Sequence, residues 1–146
     1  MLKLIPNLFY LATALTAKAK SEALFDQALT LNEAGNYKEA FPLMKNVAEA
    51  GNVRAMSLLG SMYLMGKGVP ENGNEAERWL KRAADEGYLD AASVLGMAYA
   101  TGKSGIKRNV RLAKELLMRA ASSGDQKAKQ MLEAIERRQG VFRNLK

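Results

Sequence analysis

Three phrases recur along this chain at a spacing of 36 or 37 residues. Gly51, Gly87 and Gly124 fall in register, as do Ala55, Ala91 and Ala128. Leu59-Gly60-xx-Tyr63-xx-Gly66 returns as Leu95-Gly96-xx-Tyr99-xx-Gly102. Ala40-xx-Leu43, Ala76-xx-Trp79 and Ala113-xx-Leu116 each precede a small apolar pair: Val47-Ala48, Ala83-Ala84 and Ala120-Ala121. Self-similarity at a fixed period of roughly 20–50 residues marks a repeat array. A unit this short cannot bury its apolar face alone, so successive units stack and share one core. The result is an extended surface suited to binding rather than to catalysis.

The punctuation inside each period predicts helices and no strands. Ser21–Ala34 carries Leu24, Ala28 and Leu31 at helical spacing, and Gly35 follows as a C-terminal glycine would. Asn36-xx-Glu39 has capping-box spacing and opens a second helix to about Ala50. Pro42 lies early in it, where a kink or a later start is expected. Asn52 caps a third helix to about Met65, and Asn74-xx-Glu77 opens a fourth that stops at Gly87. Asp90 caps a fifth, ended by Gly102; Asn109 starts a sixth, ended by Gly124; Asp125 starts a seventh to about Gln139. The linkers Gly66–Pro70 and Gly102–Ile106 share a pattern, the second one residue longer. Gly60, Gly96 and the alanine pairs let helices approach closely. Tyr63, Trp79 and Tyr99 fill the space between them.

Composition removes several kinds of chemistry. The chain has no cysteine, hence no disulfide, thiolate metal site or cysteine nucleophile. It has no histidine, the commonest general base and metal ligand. Asp85, Glu86 and Asp90 lie near helix ends, where capping accounts for them. Gly66-x-Gly68 and Gly102-xx-Gly105 follow helices, whereas a phosphate-binding loop follows a strand. No catalytic residue, metal ligand or cofactor site is expected. The net charge of +7 is uneven: residues 103–146 hold 12 Lys/Arg against 4 Asp/Glu, while residues 20–102 hold 8 against 11. That basic part has Phe142 as its one aromatic residue. Nucleic-acid modules interleave aromatics for base stacking, so no nucleic-acid partner is expected.

The first twenty residues have another character. Met1–Lys3 carries one positive charge, Leu8–Ala17 is uncharged and mostly apolar, and Ala17 and Ala19 flank Lys18. This is the layout of a secretory signal peptide cut after Ala19. The apolar run falls short of the about 20 residues that span a bilayer. The expected organisation is a signal peptide at 1–19, a helical repeat domain at 20–139 and a basic, loose tail at 140–146. If the segment is not cut, it is an extra helix on the array.

The repeated residues resemble the Sel1-like repeat, a relative of the tetratricopeptide repeat. Ala55-xxx-Leu59-Gly60-xx-Tyr63-xx-Gly66-x-Gly68-Val69 fits that pattern without a gap. Ala76-xx-Trp79-xx-Arg82-Ala83-Ala84-xx-Gly87 differs by Arg82 for the usual lysine. The unit Ala91–Gly124 fits more loosely, with Ile106, Leu116 and Arg119 at family positions. The resemblance implies a right-handed α-solenoid of antiparallel helix pairs, about seven helices in all, that binds a protein partner without catalysis. Small exported bacterial members include immunity proteins that block lipase effectors delivered by type VI secretion. That role, in the periplasm or outside the cell, is the expectation here. The alternatives are an envelope assembly or regulatory adaptor, or a cytoplasmic adaptor if the first segment stays. In the tetratricopeptide relatives the first helix of each pair lines the concave face. Transferred here, that face comprises Arg54, Ser57, Ser61, Leu64 and Met65; then Asp90, Ser93, Met97, Ala100 and Thr101; then Lys127, Gln130, Ala134, Arg137 and Arg138.

Overall fold

The structure, a computed structural model, describes the backbone of residues 5–144 and the side chains of residues 8–140. Lys3 of the leader-like segment and the Phe142 and Lys146 side chains of the tail lie outside those ranges. Among the described residues seven helices follow one another: α1 (Ile5–Glu33), α2 (Tyr37–Glu49), α3 (Val53–Met65), α4 (Gly73–Asp85), α5 (Leu89–Thr101), α6 (Val110–Ser122) and α7 (Gln126–Asn144). A 3-10 turn, Lys103–Gly105, sits in the second linker, and no strand occurs among the described residues. Each helix packs on the next, which is the stacking that the repeat requires.

Glycine sets the tight turns. At Gly51 (φ 101°) the Asn52 amide reaches back to the Val47 carbonyl and the Gly51 amide to Ala48. These two bonds satisfy the last carbonyls of α2. Asn52 then caps α3 at once, its side chain accepting from the Ala55 amide. The same pair of backbone bonds closes the turns at Gly35, Gly87 and Gly124. The longer linkers leave α3 and α5 through left-handed Gly66 and Gly102 and return to pin the next cap. The Asn72 amide donates to the Tyr63 carbonyl, and the Asn109 amide to the Tyr99 carbonyl.

The core is built from the repeated small residues. Ala55, Ala76, Ala83, Ala91, Ala113 and Ala120 are fully buried. A Cβ placed on Gly60 would lie 2.6 Å from Leu80 Cγ, and one on Gly96 2.8 Å from Leu117 Cγ. Both glycines thus allow the paired helices to meet in the same way in successive units. The tyrosines fill equivalent slots with different partners. Tyr63 packs edge-on against Phe41, with ring centroids 5.4 Å apart. Tyr99 donates to the Glu77 carboxylate, 36 residues beyond Phe41. Trp79 is buried as predicted, but its indole Nε1 has no acceptor among the described residues. Arg78 and Arg82 stack over its ring.

Several local expectations are corrected. From Ile5 on, the leader-like segment runs without a break into the first helix, as α1. Pro6 lies in its first turn, where the missing amide would have no partner anyway. Pro42 neither delays nor ends α2, which starts at Tyr37. Lys38 and Pro42 are both exposed, so the carbonyl that the ring leaves free can turn to water. Asn36 makes no side-chain cap. The cap of α4 is Asn72, not Asn74: its side chain accepts from the Glu75 amide, because its own amide is already held by Tyr63. Tyr88 precedes α5, and Asp90 sits one residue inside it, accepting from the Tyr88 hydroxyl at 3.1 Å. Residues 140–144 continue α7 instead of forming a loose tail.

Candidate protein-binding surface

The first helices of successive pairs touch directly, α3 with α5 and α5 with α7. These contacts put α3, α5 and α7 side by side, the three helices from which the inner face is expected. Residues at the repeat spacing therefore stand side by side in layers across it. Arg54, Asp90 and Lys127 form one layer near the helix starts, all exposed. Ser57, Ser93 and Gln130 form the next, then Ser61, Met97 and Ala134. Leu64 and Ala100, near the ends of α3 and α5, share a layer with Arg137 of the longer α7, and Met65 and Thr101 share the next with Arg138.

Not all of these residues are available to a partner. Ser57, Leu64 and Ser93 are buried, and Ser61 and Met97 are half-buried. The Ser61 hydroxyl donates to the Ser57 carbonyl. Helix pairs in contact cover the residues between them, so the face is a set of ridges, with Arg54, Met65, Asp90, Thr101, Lys127, Gln130, Arg137 and Arg138 exposed upon it.

The structure brings Asp90, Ser93, Met97 and Lys127 to one groove of about 720 Å³ between α5 and α7. Val94 and Asp125 also line it, with residues of the α6–α7 turn. Sequence reasoning assigned Asp125 to a cap alone. It is a cap, accepting from the Lys127 and Ala128 amides at 2.9 and 3.1 Å, and it is also a groove wall. The Ser93 hydroxyl beside it and those amides hold its carboxyl below the usual range. Arg54 reaches across units: its guanidinium stands 4.8 Å over the Phe25 ring of α1. It also lies near the Tyr88 phenol, whose pKa is raised by burial first and by Asp90 second, against the opposing pull of Arg54. The face is thus a row of polar contacts that ties neighbouring units together.

A second depression, about 690 Å³, lies where the α1–α2 turn meets the first linker, around Tyr37, Gly68 and Val69. Lys67 stands 4.8 Å over the Tyr37 ring, tying the first linker to the start of α2. Among the described residues no cluster of three Asp or Glu could hold a metal ion, and no helix is long and apolar enough to cross a membrane.

Comparison with known proteins agrees with this architecture. The Sel1 repeat profile matches residues 53–88 and 89–125, half of the chain. No curated protein shows significant similarity to it. Among solved structures, a Sel1 repeat protein from Oxalobacter formigenes is 29% identical with a TM-score of 0.66, over 73% of this chain and 43% of that one. The protein c5321, a protective antigen of uropathogenic Escherichia coli with an SLR fold, is 26% identical with a TM-score of 0.68, over 75% of this chain and 24% of its own. Cysteine rich protein B of Helicobacter pylori shares the fold, at 23% identity and a TM-score of 0.57, over 64% of this chain and 70% of that one. The match thus spans less than half the length of the first two. The two matched repeats begin at Val53 and Leu89, the first residues of α3 and α5. With its stacked helix pairs and these two contiguous matches, the chain belongs to the Sel1 repeat family, a family of protein-interaction scaffolds.

Proposed function

We propose that the protein is an exported, non-catalytic binder that blocks a secreted effector enzyme, of the lipase type, by covering its active site. The observation that carries this reading is the contrast within α1. Residues 8–20 are all exposed, including Leu8, Phe9, Tyr10, Leu11 and Leu15, each more than half exposed. Phe25 and Ala28, further along the same helix, are buried in the array. Residues 8–19 contribute nothing to the buried core, so their removal would cost the array none of it and would take away a run of exposed apolar side chains. The inner face, in turn, presents charged ridges and a half-apolar groove, which suit recognition of another protein's surface.

An envelope adaptor is the second reading, favoured by the similarity to c5321, a protective antigen. One experiment separates the possibilities. The full-length protein is expressed with a C-terminal tag in its native cells and captured, and its N-terminus and its partner are identified by mass spectrometry. A chain starting at Lys20 with one stoichiometric hydrolase supports immunity. A cleaved chain with envelope components supports the adaptor. An intact Met1 terminus overturns export and the immunity role with it.

A further inference from the structure

The edge of the inner face where α3 and α5 end, and which α7 passes at Arg137 and Arg138 on its way to Asn144, changes character from one unit to the next. On α3 it presents Met65, 48% exposed, over buried Leu64. On α5 the equivalent residues are Ala100 and Thr101, small and offering little to grip. On α7 they are Arg137 and Arg138, both exposed. Two more cations lie along the second linker, beside the end of α5. Lys103 follows the last residue of α5 by two positions, and Arg108 is held there because its Nε donates to the Ala100 carbonyl at 3.1 Å. The matching position in the first linker is Glu71, so the charge reverses between units.

These four cations have no carboxylate within 4.0 Å among the described residues. The contrast with α4 is plain: Glu75, Asp85 and Glu86 there pair with Arg78, Lys81 and Arg82 of the same helix. The α7 carboxylates nearest in sequence, Glu133 and Glu136, make no ion pair with them among the described residues, and Arg137 bonds the Glu133 carbonyl instead. Arg137 and Arg138 are adjacent like charges with no ion pair among the described residues, and an anionic partner relieves their repulsion.

We propose that this edge binds an extended acidic segment of a protein partner, with an apolar side chain on Met65 and carboxylates on Arg137 and Arg138. The proposal rests on the protein-binding reading above and names the partner's chemistry. Neighbouring helices lie about 8–10 Å apart, so two steps from α3 to α7 cover about 20 Å. An extended chain covers that in about six residues at roughly 3.3 Å each. Arginine favours carboxylates because its planar fork matches them with two parallel hydrogen bonds. Membrane and nucleic acid fit less well. Met118, on α6, is the only large exposed apolar side chain described beyond residue 102, and the edge carries no described aromatic residue.

The test uses the full chain and a fluorescein-labelled hexapeptide, Leu-Ser-Gly-Ser-Glu-Glu, followed by anisotropy at low salt. Saturable binding is expected. It should weaken by about tenfold with Arg137→Glu/Arg138→Glu, where like charges replace matched ones. It should also weaken with Met65→Ser, with Gln for both Glu of the peptide, and with added salt. Unchanged circular dichroism confirms the fold, and Arg137→Gln/Arg138→Gln provides a milder variant of the same site. Absence of saturable binding, indifference to both double variants, or tighter binding to phosphatidylglycerol vesicles or to a single-stranded oligonucleotide overturns the proposal. If capture from cells still yields a protein partner in that case, this edge is wrong and the protein-binding reading stands. If neither the peptide nor any protein binds, both fall.

Discussion

The Ser104 hydroxyl donates to the Leu64 carbonyl at 2.8 Å, tying the second linker to the end of α3. Glu71 Oε2 lies 3.1 Å from the same hydroxyl. Ser104 is the one non-glycine with a left-handed backbone among the described residues (φ 55°). Its carbonyl crowds Gly73, where a Cβ would collide with it. The extra residue of the second linker therefore lets that linker reach back and clamp the unit before it.

Ser104→Ala should lower stability by about 1 kcal/mol, the usual net value of a hydrogen bond. Ser104→Gly loses the same bonds but relieves a left-handed strain of about 1–2 kcal/mol, so its net effect should be near zero or stabilising. Urea unfolding of both variants checks the order. A larger loss for glycine than for alanine would show that the strain is absent.

Gly60→Ala and Gly96→Ala should each destabilise by about 1–3 kcal/mol, since the new methyl meets the buried Leu80 or Leu117 and cores resist overpacking. Gly140→Ala meets nothing within 4 Å inside helical α7. It should stabilise by up to about 1 kcal/mol through helix propensity. Thermal unfolding of the three variants separates the two kinds of glycine.

The caps differ in the same testable way. Asn52→Ala, Asn72→Ala and Asn109→Ala remove side-chain bonds to the Ala55, Glu75 and Leu112 amides. Each should cost about 1 kcal/mol. Asn36→Ala and Asn74→Ala remove no such bond and should stay within about 0.5 kcal/mol of the parent. Equal losses at all five positions would contradict the assigned caps.

Alkaline pH should unfold the protein. Tyr99 is raised well above the ordinary tyrosine value, first by burial and then by its bond to Glu77. Tyr63 and Tyr88 are raised too, by burial first. A folded pKa above the unfolded one means that the unfolded state loses its proton first. Stability is therefore fully present below about pH 10 and falls as pH rises beyond it. Phenolate absorbance should show part of the five tyrosines ionising only together with loss of helical circular dichroism. Ionisation of all five ahead of unfolding would contradict the burial argument.

Much of this architecture was legible because the repeat reports its own packing. Gly60 and Gly96 announced close helix approach before their leucine neighbours were known, and Asn52 and Asn109 marked their caps correctly. Asn72 and Asn74 show where the reading failed. Both stand three residues before a glutamate, so local spacing favours neither, and the choice fell to a backbone bond from Asn72 to the distant Tyr63 carbonyl. Asp125 is similar: its cap was plain, but its place in the groove with Asp90 and Lys127 depends on how α7 lies against α5.

The chain's own period determined the helix count, the turn glycines and which residues of successive units are equivalent, because these follow from local backbone chemistry repeated at fixed spacing. Tertiary structure decided which members of each layer reach solvent. Ser57, Leu64 and Ser93 share the inner-face positions of exposed residues, yet neighbouring helices cover them. It also decided that Ser104 clasps Leu64, and that Arg108 joins the end of α5. Burial and such long-range bonds depend on the distance between helices, which is set by the summed packing of whole units rather than by any one stretch of sequence.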